Sequence, residues 1–164
     1  MQTTAVELNP QVVATAHAWF DLPLPEDDAR LRVVRADAGA WVARQRGEIS
    51  ALMVDLYDHE AQAPVLDTPQ FYARCRRALE PGGAMTVNLF GGQSDLPRSL
   101  QRIGAAFEQV WLFEPTAEGN TVVVAVASPD APDAPTLKLR AAAVAERTDL
   151  PARKWVRALR PLVR

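Results

Sequence analysis

Ile49-Ser50-Ala51-Leu52-Met53-Val54-Asp55-Leu56-Tyr57-Asp58 is the stretch on which the fold turns. Ile49 to Val54 is a nearly continuous apolar run that stops at an acid, the pattern expected of a parallel strand buried by helices on both faces. Strands of that kind come with helical crossovers, so the sequence on either side is expected to alternate strand and helix.

Downstream, LYDHEAQAPVLD is too punctuated by acids and Pro64 for a regular element. Thr68-Pro69 then starts a helix that carries Phe71, Tyr72, Cys75, Ala78 and Leu79. Pro81-Gly82-Gly83 is expected to end that helix as a turn, and Ala84 to Phe90, AMTVNLF, reads as the next strand before Gly91-Gly92. Helical spacing of Leu96, Leu100, Ile103 and Phe107 predicts a helix from about Asp95 to Phe107. VWLFEP around Val110 and TVVVAVA from Thr121 to Ala127 read as two last strands, an antiparallel pair joined by a tight Gly-Asn turn.

Upstream the same alternation holds. TAVEL, Thr4 to Leu8, is a strand, with Asn9 capping and Pro10 opening the helix QVVATAHAWF. RLRVV, Arg30 to Val34, is a second strand, and Asp37 stands where a short helix through Val42 begins. The order βαβαβαβαββ argues for an open α/β sheet, against all-β and helix-bundle readings.

The 164 residues, 48% hydrophobic and 23% charged, fit one domain able to bury a core. Three parts are expected: a domain over residues 1–127, a linker over 128–137 and a basic helical tail over 138–164. The overall charge of -2 conceals a segregation. Residues 138–164 hold eight basic and two acidic side chains, net +6, and residues 1–137 are net -8. The tail reads as an Arg-rich covering helix, with Trp155, Val156 and Leu159 able to dock on the body. Trp19, Trp41 and Trp111 are expected in helix-sheet packing.

With no polycationic signature overall, nucleic acid is disfavoured as a partner. No apolar run is long enough to span a membrane, and MQTTAVELNP has no secretory pattern. One cysteine, Cys75, and two histidines leave neither a disulfide framework nor a recognisable metal cluster, so no metal cofactor and a reducing, cytoplasmic location are expected. Self-association could cover exposed sheet surface.

Ligands of open parallel sheets sit beyond the carboxyl ends of the strands, which singles out the acids there. Glu7 ends the first strand and could accept two ribose hydroxyls, or be a solvated strand-end acid. Asp37 could accept from an adenine amino group, with Ala38 offering backbone and a small surface, or Asp37 could be a plain helix cap. Asp55 and Asp58 follow the most apolar strand; two carboxylates there could hold a cationic amine, and a desolvated one could take its proton. The alternative is a loop whose acids cap backbone amides or bind surface arginines. Tyr57 could line that site or cover the sheet edge, and His59 reads as a loop residue. Pro81-Gly82-Gly83 lies after a helix and before a strand, the reverse of a phosphate cradle.

In succession these segments resemble the spermidine synthase family, the polyamine aminopropyltransferases, whose catalytic half resembles the AdoMet-dependent methyltransferase fold. Val6-Glu7-Leu8-Asn9-Pro10 is similar to the family's acidic motif at a strand end, with Asn9 where Asp is familiar. Arg30-Leu31-Arg32-Val33 with Ala36-Asp37-Ala38 is similar to its next strand and adenine-side turn. Leu52 to Asp58 resembles the segment carrying the catalytic and amine-binding acids. Leu66 to Tyr72 with Leu79-Glu80-Pro81-Gly82-Gly83 resembles the downstream helix and turn. The resemblance spans about residues 4 to 127.

It implies a Rossmann-like sheet in which Glu7 binds ribose, Asp37 the adenine side, Asp58 the amine, and Asp55 serves as catalytic base. The implied reaction transfers an aminopropyl group from decarboxylated AdoMet to putrescine or another small amine. The family's N-terminal β region, first strand and glycine-rich turn precede the part matched here, so an incomplete or N-terminally truncated sheet is expected. Two further readings are carried: an AdoMet-dependent methyltransferase, and a noncatalytic nucleoside-binding or interaction module.

Overall fold

The computed structural model describes residues 2–56, 66–90, 95–128, 130 and 132–162. Two compact units divide the chain, Met1–Arg44 and Gln45–Arg164.

The first unit contains β1 (Thr3–Glu7), α1 (Pro10–Trp19), β2 (Leu31–Arg35) and α2 (Ala38–Val42). β1 and β2 run parallel, in register from Thr3 opposite Leu31 to Glu7 opposite Arg35. α1 begins where the sequence predicts. Asn9 is extended, its side-chain oxygen accepts from the Gln11 amide at 2.9 Å, and Pro10 follows with no amide hydrogen to satisfy. α2 starts in the same way on Asp37, which accepts from the Ala40 amide at 2.7 Å. The unit buries little: of its described residues, Gly39 and Val42 alone are buried. α1 buries none of its residues. Trp19, 80% exposed at its end, therefore does not make the packing expected of it.

The second unit follows as β3 (Ile49–Val54), α3 (Pro69–Ala78), β4 (Leu79–Leu89), α4 (Leu96–Ala106), β5 (Gln109–Leu112), β6 (Thr121–Val126), α5 (Ala134–Arg147), α6 (Ala152–Ala158) and β7 (Arg160–Pro161). Its five-stranded sheet has the order β3-β4-β6-β5-β7. β3 and β4 are parallel, and the other three pairings are antiparallel. The sheet is thus open and mixed, and β5 and β6 form an antiparallel pair closed by a turn in which Gly119 takes a φ of +89°.

The core lies on one face of this sheet. Met85, Val87 and Leu89 of β4 and Val123 and Ala125 of β6 alternate inward with the two-residue period of a strand. α3 contributes Phe71, Tyr72, Cys75 and Ala78, a single helix face, and α4 contributes Ser99 and Ile103. Phe71 and Tyr72 meet edge to face with ring centroids 5.6 Å apart. Each large apolar side chain fully buried here, Phe107, Met85 and Ile103 among them, contributes about 1.5–3 kcal/mol through removal from water.

Four expectations are corrected. β3 is not buried on both faces. Among the described residues its hydrogen-bonded neighbour is β4, and Met53 is 84% exposed, because an apolar run records suitability for burial and not what covers each face of the strand. Pro81-Gly82-Gly83 lies inside β4 rather than before it. Leu79 pairs with Ile49 but the next pair is Ala84 with Ala51, so the glycines form an irregularity in the ladder. Gly82 has a φ of +80°, and a Cβ on Gly83 would sit 2.8 Å from the Ile49 carbonyl oxygen.

α5 begins at Ala134, within the stretch read as linker, because Asp133 accepts from the Thr136 amide at 2.9 Å and Pro135 fits the first turn. The basic tail is not helical throughout. β7 adds to the β5 edge, with Trp111 opposite Pro161 and Leu112 opposite Arg160. An edge position tolerates the missing amide of Pro161.

Candidate functional site

In the second unit the parallel pairing brings polar side chains to the carboxyl ends of β3 and β4. The last ladder pairs are Met53 with Thr86 and Val54 with Val87. One residue further on, Asp55 stands beside Asn88, whose Nδ2–H donates to Asp55 Oδ1 at 3.2 Å. Asp55 is exposed and Asn88 half-buried. An exposed carboxylate with one oxygen engaged by a neutral donor keeps lone pairs for an ammonium or a proton. Tyr57 and Asp58, the other residues expected here, and His59 lie outside the described residues.

In the first unit, Glu7 and Asp37 lie at the same carboxyl-terminal end of the parallel β1 and β2 pair. The Ala36 amide donates to the Glu7 carbonyl at 3.1 Å, which carries the chain from β2 directly into Asp37. Glu7 Oε1 accepts from the Asn9 amide at 2.7 Å, so its carboxylate is turned back over the start of α1. Asp37 caps α2 as described, and Ala38 is the first residue of that helix, half-buried. The capping alternative for Asp37 is therefore realised with one oxygen, and an Asp carboxylate retains acceptor capacity beyond it.

A second polar cluster was not singled out by the sequence. Asp67 accepts from the Tyr72 hydroxyl at 2.8 Å, from Ser99 Oγ at 2.8 Å and from the Arg102 guanidinium. With an Asp67 side-chain exposure of 11%, this ion pair ties the start of α3 to α4 at low solvent access. Burial, and then the hydrogen bond to Asp67, push the Tyr72 phenol far above its ordinary range, so it stays protonated. Burial raises the Cys75 thiol to about 12, which removes it as a nucleophile at neutral pH. His17 is held by the first unit, with Nδ1 2.7 Å from the Leu22 carbonyl. Among the described residues no three His, Cys, Asp or Glu side chains are grouped so as to hold a metal, and no helix is long and apolar enough to cross a membrane.

The sequence could have found Asn88. It is the one polar amide in the otherwise apolar end of AMTVNLF, one step beyond the last aligned pair, where a buried strand has no packing reason for it. Asp67 carried no such signal, since an acid ahead of Thr68-Pro69 reads as part of a helix start.

With strands and helices alternating and acids at the strand ends, the chain has an α/β fold resembling the Rossmann-like spermidine synthase and methyltransferase fold. A probable spermidine synthase from Corynebacterium glutamicum superposes with a TM-score of 0.65 at 24% identity, over 76% of this chain and 47% of that one. Human methyltransferase-like protein 13, solved with SAH, superposes with a TM-score of 0.78 at 21% identity, over 92% of this chain and 72% of that one. No family model matches.

Sequence relatives are more specific than the fold. The chain is homologous to polyamine aminopropyltransferases: it is 35% identical to that of Chromobacterium violaceum over 124 residues, 75% of this chain and 47% of the relative. Identity to the Neisseria meningitidis enzyme is 31% over 140 residues, 84% of this chain and 52% of the relative. The chain thus spans about half the length of the curated relatives it matches.

Proposed function

We propose that this chain carries the nucleoside-binding and amine-binding acids of an aminopropyltransferase that uses decarboxylated AdoMet as donor and putrescine or a similar small amine as acceptor. Asp55, exposed at the carboxyl end of β3 and held by Asn88, is the observation that carries the reading. It stands within the length over which the chain is homologous to the polyamine aminopropyltransferases of Chromobacterium violaceum and Neisseria meningitidis. Glu7 then takes the ribose hydroxyls, Asp37 and Ala38 the adenine edge, and Asp58 and Tyr57 the amine.

The chemistry assigned to Asp55 is proton transfer. Its carboxylate takes one proton from the bound ammonium, freeing the nitrogen lone pair. That nitrogen attacks the propyl carbon next to the sulfonium; the C–N bond forms, the C–S bond breaks, and its electron pair goes to sulfur, releasing neutral methylthioadenosine. Alignment of amine and sulfonium carbon supplies the remaining acceleration. No metal is required by these steps.

Incubation with decarboxylated AdoMet and putrescine should release methylthioadenosine and spermidine in equal amounts, and Asp55→Asn should lower turnover by at least 100-fold with the fold intact. Normal turnover in Asp55→Asn would remove Asp55 from its role. A methyltransferase is the second reading, favoured by the 92% coverage against a methyltransferase-like protein bound to SAH. Methyl transfer from AdoMet without aminopropyl transfer would select it.

A further inference from the structure

We propose that Asn88 is the positioning residue for Asp55: it fixes one carboxylate oxygen so that the other points toward the bound amine. Its kinetic consequence rests on the aminopropyltransferase reading, whereas the contact itself does not. Asp55 lies one residue past the end of β3, where the backbone ladder no longer fixes it. Asn88 is the better anchored of the two. It sits within β4, paired in register with Val122 of β6 on one side and directly following Val87, which pairs with Val54, on the other.

A free carboxylate at an exposed strand end samples several rotamers, and each one aims its lone pairs differently. The donor from Asn88 selects among them. An ionised carboxylate only accepts, so the amide must present its NH2 group and not its carbonyl to Asp55. A neutral donor also orients the acid without cancelling its charge, which an arginine or lysine at this place would do. Asn88 therefore acts through Asp55 and needs no direct touch on the reacting atoms.

The test uses the whole chain with two independent measurements. In steady-state kinetics with decarboxylated AdoMet and putrescine, Asn88→Ala should lower kcat by about tenfold with KM changed less than threefold. Asn88→Gln should recover part of the loss, and Asn88→Asp should lose more than Asn88→Ala because two carboxylates then face each other. Asn88→Ala placed on Asp55→Asn should cost nothing more, since the two act as one unit. A full multiplicative loss in the double variant, or unchanged kcat in Asn88→Ala, overturns the proposal.

The second measurement needs no turnover. The Asn88 side-chain amide signals in a proton-nitrogen NMR spectrum should shift clearly in Asp55→Ala, with the signals of β4 and β6 otherwise in place. If the wild-type protein shows no transfer, the aminopropyltransferase reading fails and this spectrum alone decides the contact. Asn88 amide signals that ignore Asp55→Ala overturn it.

Discussion

The two units of the chain are built from the same kind of strand and helix, yet they hold themselves together differently. In Met1–Arg44, two parallel strands and two short helices are specified by caps: Asn9 starts α1 and Asp37 starts α2. Its buried residues are only Gly39 and Val42 among those described. In Gln45–Arg164, a five-stranded sheet puts Met85, Val87, Val123 and Ala125 against the buried faces of α3 and α4. Local signals can therefore define elements completely in a region that buries almost no apolar surface. Stability follows the burial and not the number of well-capped elements.

The largest expected break in this contrast is in the second core. Phe107→Ala should destabilise the Gln45–Arg164 unit by about 3–5 kcal/mol in a denaturant titration, because it empties a site 2% exposed. Val33→Ala in the half-buried β2 should cost about 1 kcal/mol or less. Hydrogen exchange sharpens the same point: amides of β4 and β6 should outlast those of β1 and β2 by orders of magnitude. Equal protection in the two sheets would contradict the contrast.

Next in size is the polar tie between α3 and α4. Asp67→Ala leaves Arg102, Ser99 and Tyr72 without their shared acceptor and should cost about 3 kcal/mol, read from the shift of the unfolding midpoint. A smaller effect appears in alkali. Cys75 is raised to about 12 in the fold from its ordinary 9.0, and Tyr72 is raised above 10.0, so both stay protonated where the unfolded chain has begun to ionise. Their contribution is fully present below about pH 9 and is lost as pH rises; each titrating group adds a slope of about 1.4 kcal/mol per pH unit at most. Cys75→Ala should flatten the stability curve between pH 9 and pH 10. The smallest change is at the caps, where Asp37→Ala should cost about 1 kcal/mol and be confined to α2.

The sequence revealed the local features well. Caps at Asn9, Asp37 and Thr68, the alternation of elements and the antiparallel β5 and β6 pair could all be read from neighbouring residues. Sheet position could not, since nothing in ISALMV says that β3 pairs with β4 alone among the described residues, and an apolar run is the same at an edge and in a centre. The glycines of Pro81-Gly82-Gly83 were legible as a break in regular geometry but not as an irregularity inside β4, because that depends on the register with Ile49 and Ala51. For the site, the acids at the strand ends were visible as residues. The partnership of Asp55 with Asn88, 33 positions apart, came from strand pairing alone.

Nucleoside recognition, with Glu7 as the proposed ribose acceptor, is the most direct test of the proposed function. Calorimetric titration of the purified whole chain with methylthioadenosine and with decarboxylated AdoMet should give saturable binding of both, weakened at least tenfold by Glu7→Gln, which keeps size but removes the charge proposed to accept the ribose hydroxyls. No binding of either nucleoside to the folded wild-type chain, or equal affinity in Glu7→Gln, would contradict it.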